Sequence, residues 1–341
     1  MSVRLPAEWE PQDGVLLAWP HEKTDWEPVL LQVEPVFARI ATEISRFEQV
    51  LIVAPDKEKV QAQLVQTGTD LGRVRILEIP SNDTWSRDFG PICLLENGRP
   101  VLLDYVFNGW GNKFSADLDN RINRQLQSAG CFGDAPLRSM DLVLEGGSIE
   151  SDGRGTLLTT TQCLLNPNRN PHLNRDGLEK LLKQQLGVSH FLWLNHGWLA
   201  GDDTDSHIDT LARLAPEDTI LYVSCDDTTD EHYLELAAMQ EELRSFRTAA
   251  GRPYRLLPLP WPRAQFDESG ERLPATYANF LVINEAVLVP VYGDTHDARA
   301  LETIGKAFPG RAIIGIDCSP LILQHGSLHC VTMQLPRGVL S

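Results

Sequence analysis

The sequence predicts a single ring-shaped α/β domain spanning residues 1–341, built from about five strand–strand–helix–strand units. Three observations predict it. A hairpin-like pair of apolar runs, an amphipathic stretch and a further apolar run recur in that order along the chain. No low-complexity segment or linker divides the repeats. Polar motifs stand at matching places, at or just before the first strand of a unit. Units that cannot bury their own faces commonly close into rings or solenoids.

Taken in order, "VLLAWP", a helix around 32–47 and "VLIVAP" belong to one unit. The helix near 57–66 and the strand "VRILEI" fall outside the count and read as additions. "ICLLENGRPVLLDYVF" is a hairpin turning at Asn97-Gly98, a pair suited to a tight turn, and the amphipathic stretch near 118–128 leads to "LVL" at 142–144. "SIESDGRGTLLTT" turns at Asp152-Gly153 and is followed by the helix "DGLEKLLKQQLG" and the strand "HFLWL". "IDTLARLAPEDTILYVS" precedes a charged helix near 230–248 and "YRLLPL". "YANFLVINEAVLVPVYG" precedes a helix near 297–307 and "AIIGI". The last strand, "LHCVTMQL", has no hairpin partner after it, so pairing with the N-terminal strand closes the ring.

A hydrophobic fraction of 42% with 23% charged residues fits a soluble globular chain. No apolar run approaches a membrane helix in length, and "MSVRLPAEWEPQDG" lacks the pattern of a secretory signal, so a cytoplasmic protein is expected. The glycosylation match at Asn82-Asp83-Thr84 then carries no weight. Cys93, Cys131, Cys163, Cys225, Cys318 and Cys330 are widely spaced, which argues against a disulfide framework or a structural zinc site. The net charge of −17 disfavours nucleic acid and anionic membranes as partners and suits a cationic substrate, although solubility alone also explains it. A homodimer is compatible with these features.

The polar motifs are "NDTWSRD", "EGG", "DSHID", "YAN" and "LHC". In a closed ring, Asp88, Glu145, His207, Asp209, Asn279 and Cys330 share one site. Two chemistries compete for it. "GDDTDSHIDT" offers metal ligands, but an EF-hand loop from Asp203 would need glycine where Ile208 stands and glutamate where Leu214 stands. "DSHID" also resembles one signature of manganese ureohydrolases, whose second carboxylate-rich segment is missing. The alternative is thiol chemistry, with Cys330 as nucleophile, His207 as proton shuttle and Glu145 orienting the imidazole. Asp88 and Asp209 are then surplus acceptors, suited to a planar cation with forked N–H donors such as a guanidinium.

"NDTWSRDFGP", "FNGWGNKF", "LEGGSIESDGRGTLLTTTQCLLNPNRNP", "GDDTDSHIDT", "YANFLVINEAVLVPVYGD" and "LHCVTMQLP" together resemble agmatine deiminases. These lie in the bacterial peptidylarginine-deiminase-like branch of the guanidino-group-modifying superfamily. The resemblance implies a five-bladed pseudo-symmetric α/β propeller, the pentein fold. It implies Cys330 as nucleophile, His207 as general acid/base with Glu145 as partner, and Asp88 and Asp209 as guanidinium clamp. Trp85 and Trp110 correspond to aromatic substrate contacts, Asn279 is grouped with them, and Asp203 and Asp205 are supporting residues. The implied substrate is a small cationic guanidino compound, agmatine, converted to N-carbamoylputrescine and ammonia through a covalent Cys330 intermediate without metal or organic cofactor. The run Gln324-His325-Gly326-Ser327 replaces a glycine-rich family segment, and Ser206 replaces a glycine common in the plant-like branch, which bears on substrate-tail preference. The rival readings are a peptidylarginine or free-arginine deiminase, a metal ureohydrolase, and a non-enzymatic propeller protein.

Overall fold

The computed structural model describes residues 2–340 and divides them into five sheets of three or four strands plus one two-stranded ribbon. Each of the five sheets contains an antiparallel pair followed by a parallel strand, with helix in the crossover between the last two. The first unit joins Met333–Pro336 to Gln12–Ala18, then crosses through the helix Leu30–Ser45 to Gln49–Ala54. The second is Ile92–Glu96, Arg99–Val106 and Leu137–Val143, with the helix Asp119–Ser128. The third is Ile149–Ser151, Thr156–Thr160 and His190–Leu194, with the helix Arg175–Leu186. The fourth is Ala212–Ala215, Thr219–Val223 and Arg255–Leu259, with the helix Tyr233–Ser245. The fifth is Leu281–Ile283, Ala286–Val291 and Ala312–Asp317, with the helix Asp297–Ala307.

Local chemistry accounts for these elements. The central strands are buried along nearly their whole length, as parallel neighbours covered by helices must be. The hairpin of the second unit turns at Asn97 (φ 50°) and Gly98 (φ 79°), which gives the two left-handed residues that such a turn needs. The helix Arg175–Leu186 starts where Asn174 accepts from the Gly177 N–H and stops at Gly187, φ 68°. A side chain at Gly187 would also meet the Val3 carbonyl at 2.0 Å.

Several boundaries differ from the sequence reading. The strand read as "LVL" begins at Leu137, because its exposed first half hides the apolar pattern. The helix expected near 230–248 ends at Ser245, where Phe246 turns extended. Only the last three residues of "LHCVTMQL" are strand, in Met333–Pro336; residues before it form turns pinned by the Thr332 hydroxyl on the His329 carbonyl at 2.9 Å. The additions near 57–78 are real: Val74–Glu78 extends the first sheet as a fourth strand. Val3–Arg4 on the second sheet and the ribbon Gln265–Phe266 with Arg272–Leu273 were not foreseen.

The segments at or just before each unit's first strand are bonded to one another in succession. Gly147 N–H donates to Asp88 (3.0 Å), and Arg213 pairs with Glu150. The Thr276 hydroxyl donates to the Thr210 carbonyl (2.9 Å), and His329 N–H to Asn279 Oδ1 (2.9 Å). Arg87 N–H then donates to the Cys330 carbonyl (3.1 Å), returning to the second unit.

Candidate active site

Because each polar segment precedes the first strand of its unit, the fold gathers residues far apart in sequence. Gly147 shows how tightly. A Cβ there would lie 2.6 Å from His207 Nδ1, 2.9 Å from Asp88 Oδ1 and 3.1 Å from Asp209 Oδ2. Only a glycine leaves room for three polar atoms around one point.

Cys330 lines a pocket with Trp85, Asp88, Trp110, Phe114, Thr204 and Gly326, and Asp25, Asp83 and Asp203 line it too. Trp110 donates its indole N–H to Asp88 Oδ2 at 2.9 Å and meets Trp85 edge-on at 6.3 Å. A larger separate cavity of about 310 Å³ reaches Arg87 and His329 but neither Cys330 nor His207. The smaller pocket is the one where the Cys330 thiol, carboxylates and aromatic rings meet.

The expected residues are all buried; Trp110, the most open, is 8% exposed. Their surroundings set their protonation. Burial, then the charges of Asp209 and Asp88, push the Cys330 thiol well above its ordinary value, so it rests as the thiol. Burial lowers His207 to about 3, so its ring rests neutral. Burial and the charges of Asp209 and Glu145 push Asp88 well up. Burial also lifts Asp209, but the hydrogen bond and charge of His329, aided by His207 and Arg213, leave it below the ordinary range. Glu145 is raised by burial against the pull of Arg169.

Two expected contacts are arranged differently. Glu145 does not hydrogen-bond His207: their nearest atoms are 4.0 Å apart, while both Glu145 oxygens accept from Arg169 Nε at 3.0 Å. The His207 backbone is held instead: its N–H donates to Thr204 Oγ1 (3.0 Å) and its carbonyl accepts from Thr210 Oγ1 (2.8 Å). Asn279, like Glu145, His207 and Asp209, is not among the residues lining the pocket. Its Oδ1 accepts from the N–H groups of His329 and Cys330 and from the Cys330 thiol at 3.4 Å, so it holds the nucleophile turn.

"GDDTDSHIDT" does not converge on one ion. Asp205 accepts from Arg169 Nη1 at 2.5 Å and from Lys113 Nζ at 3.1 Å, Asp209 is held by His329, and Asp203 lines the pocket. The residues replacing glycines near the nucleophile each make a tether. Gln324 donates to the Asp25 carbonyl, His325 (φ 65°) to the Gly201 carbonyl, and Ser327 bonds the Tyr292 hydroxyl.

Five residues escaped the sequence reading: Arg169, His329, Glu8, Arg213 and Glu150. Arg169 ties Glu145 to Asp205; His329 ties Asp209 (2.7 Å) to Glu8 (2.8 Å); and Arg213 joins Glu8, Glu150 and His329. The only sequence signals were His329 beside the nucleophile in "LHC" and Arg169 in "NRNP".

Known proteins are similar to this chain over nearly its whole length. A Yersinia pseudotuberculosis relative named "Putative agmatine deiminase" is 36% identical, covering 98% of this chain and 95% of its own. A Porphyromonas gingivalis crystal structure described as a "Putative Arginine Deiminase" is 52% identical, with a TM-score of 0.95 and all of both chains covered. The substrate-bound agmatine deiminase of C. jejuni is 41% identical, with a TM-score of 0.91, covering 99% of this chain and 97% of its own. Residues 4–336 match the family model of the Porphyromonas-type peptidyl-arginine deiminases, and the chain belongs to that family.

Proposed function

We propose that the protein is an agmatine deiminase, a hydrolase that converts agmatine and water to N-carbamoylputrescine and ammonia. The observation that carries the choice of substrate is the pocket lining: Asp25, Asp83, Asp88 and Asp203 face it, and no lysine or arginine does. A chain with a cation at each end fits such a wall; the α-carboxylate of free arginine would meet carboxylates there. Trp85, Trp110 and Phe114 give apolar and cation-binding faces for the methylene chain and the guanidinium.

The guanidinium plane lies between Asp88 and Asp209, which accept its forked N–H donors. Its positive charge offsets the carboxylates that raise the Cys330 thiol, so binding favours transfer of the thiol proton to neutral His207. The thiolate attacks the guanidinium carbon, and His207 returns the proton to departing ammonia. A covalent amidino-thioether remains. Water, deprotonated by His207, adds to the same carbon, and the C–S bond breaks to give the ureido product and the thiol. Glu145, fixed by Arg169, acts on His207 through charge.

The chain of loop-to-loop hydrogen bonds and the five like units support a five-bladed propeller and one catalytic domain over residues 1–341. No helix among the described residues is long and apolar enough to cross a membrane. We place the reaction in the cytoplasm.

Ammonia release from agmatine, free arginine and arginine peptides, with wild type and Cys330→Ala, tests this reading. Agmatine is expected to be preferred over arginine by roughly a hundredfold or more in kcat/KM, about 3 kcal/mol of discrimination. Cys330→Ala is expected to be silent. Faster turnover of peptides than of agmatine overturns the assignment.

A further inference from the structure

We infer that Glu145, Cys163 and His207 form a binding site for a soft divalent transition cation of the zinc class, distinct from the nucleophile and inhibitory when filled. The three side chains are fully buried, and one ligand atom from each lies within 4.8 Å of the other two. His207 Nε2 is the independent sign that something binds here. The residue is 1% exposed, yet no protein group among the described residues hydrogen-bonds that nitrogen. Buried ring nitrogens seldom go unpaired, and the neutral ring offers it as a lone pair.

The donor set is selective. Thiolate, imidazole and carboxylate suit zinc, cobalt or cadmium, whereas magnesium and calcium prefer oxygen alone. A tetrahedral zinc ion places such ligands about 3.3–3.6 Å apart, so the trio needs to close by roughly 1 Å. Three protein ligands leave a fourth position open. Charge balances without redox change: the ion takes Cys163 as thiolate and Glu145 as carboxylate, and the Cys163 proton passes to solvent. Arg169 keeps its hydrogen bonds to Glu145, because each carboxylate oxygen has a further lone pair. The aspartates of the pocket attract a dication toward the site.

A second trio, Glu8, Glu150 and His329, has the same letters but carries no such inference. Arg213 already fills it, reaching Glu8 at 2.8 Å, His329 at 3.1 Å and Glu150 through Nε. There the protein supplies its own cation.

A metal on Nε2 removes the lone pair that the proposed mechanism uses to accept protons. Inhibition thus rests on that reading, whereas metal binding does not. The test uses the full chain freed of metal with a chelator and titrated with Co²⁺. A thiolate-to-cobalt absorption band is expected at one equivalent in wild type and Cys330→Ala, absent in Cys163→Ala, and displaced by Zn²⁺. Cys163→Ser serves if the alanine variant fails to fold by circular dichroism. Zinc is expected to inhibit agmatine turnover, reversibly by chelator, and at least tenfold less tightly in the Cys163 variant. No band, or a band that survives in Cys163→Ala and vanishes in Cys330→Ala, overturns the site. A band that follows Cys163 with no loss of turnover upholds the site and removes the role assigned to His207.

Discussion

His207 and His329 are both buried among carboxylates, and they differ in how their ring nitrogens are bonded. His329 is saturated, with Asp209 on Nδ1 and Glu8 on Nε2. His207 has no hydrogen bond from either ring nitrogen: Asp88 lies 3.6 Å from Nδ1 and Glu145 4.0 Å from Nε2. A saturated group is held in one orientation and has nothing left to exchange. An unsaturated one costs folding free energy and remains free to act. The contrast fits His329 to architecture and agrees with the proton-transfer role proposed for His207.

The largest expected effect falls on the open histidine. His207→Gln should lower kcat by about 10²–10⁴-fold while leaving the thermal midpoint unchanged or higher, read by steady-state kinetics and calorimetry. Near-normal turnover would break the comparison.

Glu48 repeats the contrast away from the site. One of its oxygens accepts from the Asn284 N–H at 2.7 Å, and the other is buried without a partner. Burial raises its carboxyl to about 7 from the ordinary 4.5. A folded value above the unfolded one means that the contribution to stability is fully present below pH 4.5 and is lost as pH rises through 7. Glu48→Gln should therefore stabilise the protein at pH 8 by up to about 3 kcal/mol and change little at pH 4, measured by denaturant titration. Equal effects at both pH values would refute it.

The smallest effect is expected at the saturated histidine. His329→Gln should loosen Asp209 and raise KM for agmatine roughly tenfold, about 1.4 kcal/mol, with a smaller change in kcat. A loss in kcat as deep as that of His207→Gln would mean that saturation does not separate architecture from chemistry.

Much of this was legible in the sequence, and the reason is physical. A strand period of two and a helix period of 3.6 repeat in each unit, so the five units could be counted, and a polar motif before each first strand marked the residues that converge. Boundaries went wrong where burial is mixed, as in Leu137–Val143, or where a polar turn such as that at Thr332 interrupts an apolar run. The partners of the reactive groups were not legible. Arg169 lies 24 residues from Glu145, and His329 lies 321 from Glu8, so no local pattern links them. The same blindness led Glu145 to be read as a hydrogen-bond partner of His207, since only three dimensions show that Arg169 already claims it.

The strand Met333–Pro336 has a consequence for how the molecule matures. It begins three residues after Cys330 and pairs with Gln12–Ala18, so the nucleophile is seated only when the two ends of the chain meet. That pairing spans more than three hundred residues and is among the slowest contacts for a chain to find. On the ribosome, Asp88, Glu145, His207 and Asp209 emerge first and Cys330 near the end. Until that strand is made, the growing polypeptide holds these four side chains with Cys330 not yet seated beside them.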